Sequence, residues 1–163
     1  MMIYTPIGAI DQATITEHLC VTKLKKLGFH ASIVHMKETD VILGVGEHLL
    51  RIQVKSSRIK RHSAERPNKF GYHFSVANGS KVKTPVTKEQ CDILAFVAYE
   101  RERIFFLHIT EHKNKITKRF PKHFFDSDSN LDIEYNSLTE AIKIHFKYNK
   151  LLIDDKLKIF LGG

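Results

Sequence analysis

Cysteine is scarce in this sequence: its 163 residues include only Cys20 and Cys91, in no CxxC spacing. That excludes a disulfide framework, and the two read as reduced, buried, intracellular thiols. The ten histidines form no zinc-finger pattern. His108 and His112 have a tolerable ligand spacing, but no partner cysteine lies nearby, so scattered surface histidines are expected. There is no apolar run long enough to span a bilayer and no signal-peptide pattern, so a cytoplasmic protein without a membrane partner is expected. Internal repeats, low-complexity tracts and linkers are missing too. Residues 1–163 therefore read as one domain, long enough to bury a core without staples.

Acidic residues are the other scarcity, and it is local. The formal net charge is +8, and nine Lys/Arg fall between positions 51 and 83 against the single acid Glu65. The remainder of the chain is balanced. Excess positive charge confined to one stretch is the electrostatic footprint of a polyanion site. Within it, residues 57–70 are basic and poor in core side chains, which predicts an extended or flexible arm that tracks a phosphate backbone or enters a groove. Arg51, Ser57, Arg58, Lys60, Arg61, Arg66, Lys69, Lys81 and Lys83 are the candidate contacts to nucleic acid. Aromatics interleave with this run at 70–74; Tyr72 is a candidate for stacking on bases, whereas Phe74 fits core packing.

Immediately upstream lies a stretch with more specific chemistry. Val41-Ile42-Leu43 is apolar, Gly44 to Glu47 supplies turn residues, and His48 to Ser56 alternates, which together predict a β-hairpin. In its second strand Leu50, Ile52 and Val54 fall on one face and Arg51, Gln53 and Lys55 on the other. Asp40 enters at the mouth of the partner strand. An acid, an amide oxygen and an ammonium gathered on one sheet edge can hold a metal ion and activate a water.

A first helix is expected from about Ile10 to Leu27, ended by Gly28. Its stripe runs Ile10, Ala13, Glu17, Cys20, Val21, Leu24 and Leu27. Glu17 is the anomaly, because an acid on a packing face is costly unless paired or metal-bound. It either reaches water or a lysine at the stripe's edge or joins a metal beside Asp40; the second reading is preferred. Residues 29–36 read as a strand, and 92–99 with 103–109 as a buried antiparallel pair. Residues 113–122 hold five Lys/Arg and no acid, a second candidate phosphate contact. Asp126, Asp128, Asp132 and Glu134 read as a solvated loop rather than a calcium site. Ser137 to Glu140 is a capping-box pattern, predicting a helical extension over about 137–152.

The pattern Thr39-Asp40 followed by Gln53-Val54-Lys55 resembles the active-site signature of the PD-(D/E)XK nuclease superfamily. Gln53 stands in place of the usual carboxylate, as in small group I intron-encoded homing endonucleases of the restriction-enzyme fold. The resemblance covers roughly residues 8–110 and implies an α/β, restriction-endonuclease-like fold with a mixed central sheet flanked by helices. It implies a site-specific double-stranded DNA endonuclease that hydrolyses phosphodiester bonds with Mg²⁺, for which Mn²⁺ would substitute. Glu17, Asp40, Gln53 and Lys55 would be catalytic, with Glu17, Asp40, Gln53 and the Val54 carbonyl as metal ligands. A homodimer or homotetramer, nucleoid-associated through its DNA, is expected. The alternatives are a Holliday-junction resolvase or restriction endonuclease, and an inactive nuclease-like DNA-binding module. The helix expected between the third and fourth core strands is short or missing.

Overall fold

The computed structural model describes residues 7–63, 66–79, 81–113 and 115–162, the side chains at 61–63 and 66–69 excepted. In chain order the elements are α1 (Ala9–Lys26), β1 (His30–Met36), β2 (Thr39–Val45), β3 (His48–Ser57), β4 (Ile59–Ser63), β5 (Arg66–Ser75), the short β6 (Ala77–Asn78) and β7 (Thr84–Pro85), β8 (Ile93–Ala98), β9 (Arg103–His108), β10 (Thr117–Pro121), α2 (Ile133–Tyr148) and α3 (Asp155–Phe160). A single 3₁₀ turn follows each of β9 and β10.

Five strands form the main sheet in the order β1-β2-β3-β8-β9. The β3–β8 pair is parallel and its other pairs are antiparallel. β8 shows why the layers form. Its six residues are all fully buried and alternate between two cores: Ile93, Ala95 and Val97 on one side, Leu94, Phe96 and Ala98 on the other. A strand covered on both faces reads as a continuous apolar run, and this one does. The first core takes Cys20 and Leu24 from α1, and Leu138, Ala141, Ile142 and Phe146 from α2. The second is roofed by a smaller sheet in the order β10-β5-β4, whose Tyr72, Phe74 and Phe120 pack with Phe96 and Phe125.

The hairpin β2–β3, the strand at 29–36 and the pair β8–β9 fall where the sequence predicts them. Gly28 ends α1 with φ +94°, a conformation a side chain would strain. Gly79 adopts φ +87° in the Asn-Gly turn, and a Cβ there would collide with the Val82 carbonyl. Between β3 and β8 the described residues hold strands β4 to β7 and no helix.

Several expectations change. Of the extended or flexible arm expected over 57–70, the described residues take the extended form: 59–63 and 66–70 belong to the strands β4 and β5, paired into the second sheet. The α1 stripe is apolar only in its second half: Ile10 is 84% exposed and Ala13 is exposed, while Thr16 is buried with its hydroxyl bonded back to the Gln12 and Ala13 carbonyls. His108 and His112 are buried, not on the surface. His108 Nε2 lies 3.3 Å from His145 Nδ1, and burial lowers His108 to about 4, so the ring is neutral. Of the four acids at 126–134, Asp128 and Asp132 are exposed in the loop as expected, whereas Asp126 and Glu134 pair with Arg101 at 2.9 Å and Arg103 at 3.1 Å.

The capping-box pattern at Ser137 does not open α2 either. α2 starts four residues earlier, at Ile133, because Glu134 is wanted inside the fold, where it accepts from the Ile104 N–H at 3.2 Å as well as from Arg103. Ser137 therefore sits in the helix interior, buried, and its hydroxyl accepts the Phe106 N–H at 2.9 Å. Ser137→Ala leaves that buried donor unpaired and should cost about 1–3 kcal/mol. A lowered urea midpoint with an unchanged slope is the expected reading. No helix among the described residues is long and apolar enough to cross a membrane.

Candidate active site

The β2–β3 ladder runs from Val45–His48 to Val41–Ile52 and stops there. One step beyond, the two strands part, and Thr39 is held away by its hydroxyl bond to the Gln90 carbonyl at 3.1 Å. The backbone donor left open on β3 is taken by a side chain: Asp40 Oδ2 accepts the Val54 N–H at 2.7 Å. Asp40 is thus fixed against the strand segment that carries Gln53, Val54 and Lys55. Alternation puts Leu50 and Ile52 into the first core and leaves Gln53 and Lys55 on the opposite face.

Gln53 is 7% exposed, and its Oε1 is buried with no hydrogen-bond partner among the described residues. A buried, unpartnered amide oxygen costs free energy unless something positive completes it. The electrostatics agree. Burial raises the Asp40 carboxyl above the ordinary aspartate value, and the Val54 N–H and the Lys55 charge only partly offset this. Glu17 is raised too, by burial first and then by the Asp40 charge. Lys55 is lowered by burial, against the pull of Asp40. Two carboxyls with raised pKa values feel each other's charge, and the unpartnered amide oxygen belongs to the residue next to Val54, whose N–H Asp40 accepts.

That donor chemistry fits a small divalent cation such as Mg²⁺. It is a sparse set, and no three His, Cys, Asp or Glu side chains gather into a metal-holding group among the described residues. Glu17 is half-buried and closes no ion pair with a lysine among the described residues. Because its folded pKa lies above the unfolded one, its charge disfavours the metal-free fold at neutral pH, and the penalty vanishes as pH falls below the carboxylate range. Glu17→Gln should stabilise the metal-free protein at pH 7 by about 0.5 kcal/mol, small because the carboxylate still meets solvent. Paired thermal melts at neutral and acid pH should show that gain only at the higher pH.

Of the candidate DNA contacts, three are used inside the fold. Arg51 bonds Asp92 at 3.0 and 3.2 Å and the Glu89 and Lys88 carbonyls at 2.6 and 2.9 Å, so its guanidinium is spent on bracing β3 against the 88–92 segment. Ser57 is buried, accepting the His73 N–H. Tyr72 is 1% exposed and packs on Phe125, so it belongs to the core and not to a base-stacking surface. Arg58, Lys60, Lys81 and Lys83 are exposed. The side chains of Arg61, Arg66 and Lys69 lie outside the described residues.

The structure adds partners the sequence does not advertise. Gln12 of α1 donates to Ser56 Oγ at 2.9 Å and accepts Arg58 Nε at 2.8 Å, while the Arg58 guanidinium lies 4.5 Å from the Tyr99 ring centre. Glu100 accepts the Ile59 N–H at 3.1 Å, anchoring the root of the ribbon. These groups meet across some forty positions of sequence, and no local pattern marks them. Both cysteines are buried, and burial pushes the Cys91 thiol up to about 12, so neither serves as a nucleophile.

Neither a family model nor a curated protein sequence matches this chain. Among solved structures it is similar to the bacterial homing endonuclease I-Ssp6803I, with a TM-score of 0.59 at 14% sequence identity over 71% of this chain and 80% of that one. At that identity the likeness concerns the fold: a mixed five-stranded sheet with flanking helices.

Proposed function

We propose that this protein is a metal-dependent, site-specific endonuclease of double-stranded DNA, of the PD-(D/E)XK type and related in role to homing endonucleases. The observation that carries the reading is the constellation where β2 and β3 part: Asp40 bound to the Val54 N–H, the buried and unpartnered Gln53 Oε1, and the desolvated Lys55. The shared fold with a homing endonuclease supports it. So do the exposed Arg58 and Lys60 where the chain continues from β3.

Asp40, Glu17, the Gln53 amide oxygen and the Val54 carbonyl would hold Mg²⁺. When bound, the cation would supply charge stabilisation at the scissile phosphate and a lowered pKa for an attacking water. Lys55 donates toward the developing negative charge and orients the water, and its desolvation makes that interaction stronger than in bulk water. Asp40 is held in place by the Val54 N–H, so it needs little rearrangement. Arg58, stacked over Tyr99 and bonded by Gln12, presents a fixed cation to the backbone beside the cut. Conversion of supercoiled plasmid to nicked or linear DNA in Mg²⁺, and none in chelator, is the expected result; an inactive DNA-binding module leaves the plasmid intact in both.

Affinity should rest on phosphates. The binding constant should fall with salt at a log–log slope of about −0.9 per neutralised phosphate, and Arg58→Ala with Lys60→Ala should flatten it. A salt-insensitive complex contradicts the ribbon's role. One Gln53-x-Lys55 per chain also implies at least a homodimer for a double-strand cut. Sedimentation on and off DNA should show it, and a strict monomer that still makes double-strand cuts contradicts it.

A further inference from the structure

The second basic stretch, 113–122, has no part in the site described above, yet the fold joins it to the ribbon. β10 pairs with β5, which pairs with β4, in one sheet. Ile59, Tyr72 and Phe120 are cross-strand neighbours on the face that packs into the second core. Lys60, Gly71 and Pro121 are neighbours on the opposite face, and Arg119, two residues from Pro121, shares it. Lys60 of the first basic run and Arg119 of the second, remote in sequence, thus share one surface.

At the start of β10 that surface folds into an open cleft of about 500 Å³. Lys113, Lys115, Lys118 and Arg119 line it with Thr117 and His112, and Glu111 is its one acid. Among the described residues none of the four cations closes an ion pair. His112 is buried, and its Nε2 bonds the Lys115 carbonyl at 2.5 Å, which ties the loop carrying Lys113 and Lys115 to the core. Lys118 lies 5.4 Å from the Phe120 ring centre, so it is held as well as charged. Four cations around a concavity, two on a loop tied to the core and two on β10, suit an anion larger than chloride.

We infer that this cleft is a second phosphate-backbone site, which receives phosphodiester groups of the same duplex that lies along the ribbon. The inference rests on the DNA reading proposed above. The cleft lies at the β10 end of the sheet whose other edge strand is β4, so a duplex laid across that outer face passes from Lys60 to Arg119. Lys113, Lys115 and Arg119 supply the charge, and Lys118 closes the wall.

The test is duplex binding by fluorescence anisotropy across a salt series in chelator, using the full chain. The variants are Lys113→Gln with Lys115→Gln and Arg119→Gln, and separately Arg58→Gln with Lys60→Gln. The cleft variant should bind about tenfold more weakly, with a slope shallower by about 0.9 for each phosphate it no longer neutralises. Its hydroxyl-radical footprint should shorten at one edge. Lys113→Arg with Lys115→Arg should bind as wild type, and equal thermal melts check that each variant is folded. A cleft variant with wild-type slope and footprint, while the ribbon variant loses both, overturns the cleft and leaves the DNA reading standing. A wild-type protein that binds no duplex overturns both.

Discussion

Lys55→Ala is expected to reduce Mg²⁺-dependent cleavage of duplex DNA by at least about 10²–10³-fold while leaving DNA binding nearly unchanged. The loss falls on catalysis because Lys55 sits on the sheet face with Gln53, half-buried beside the Asp40 charge and not on the ribbon. Its ammonium is desolvated, so its interaction with developing charge is worth more than that of a surface lysine. Asp40→Asn should behave alike. The amide still offers Oδ1 to the Val54 N–H, which preserves the local fold, but the ligand charge is gone. A variant that loses affinity and cleavage in parallel would place Lys55 in binding instead.

Gln53 gives the second large effect. Its Oε1 is buried and unpartnered, so Gln53→Ala removes an unsatisfied acceptor and should cost the fold little beyond a small cavity. Cleavage should nonetheless collapse by about 10²-fold, the scale on which losing one positioning or ligand group is felt. With the Asp40 carboxyl already raised, Gln53→Glu adds a buried acid next to Val54, whose N–H Asp40 accepts. It should lower the melting temperature in chelator, recover it in Mg²⁺ more than wild type does, and keep some cleavage. A Gln53→Ala protein that cuts as well as wild type would remove the amide from the site.

These residues are legible in the sequence because a hairpin's period of two is local. Leu50 and Ile52 face the first core, so Gln53 and Lys55 share the opposite face. β8 is legible for the opposite reason, since six apolar residues in a row fit a strand covered on both faces. What escapes local reading is non-local. Tyr72 reads as an aromatic in a basic run, but pairing with Ile59 and Phe120 turns it inward. Arg51 reads as a phosphate ligand until Asp92, just before the parallel strand β8, claims it. Ser137 has the local pattern of a cap, and only the demand of Arg103 and Ile104 for Glu134 moves the helix start upstream. The union of the 57–70 and 113–122 runs in one sheet depends on a β5–β10 pairing that no local period encodes.

Digestion of a plasmid or genomic library, with sequencing of the ends produced, tests the central claim most directly. Wild type in Mg²⁺ should give recurrent ends at one discrete sequence, and neither wild type in chelator nor Asp40→Asn in Mg²⁺ should give any. Intact DNA under all conditions, or the same ends from Asp40→Asn or in chelator, would contradict an endonuclease built on Asp40, Gln53 and Lys55.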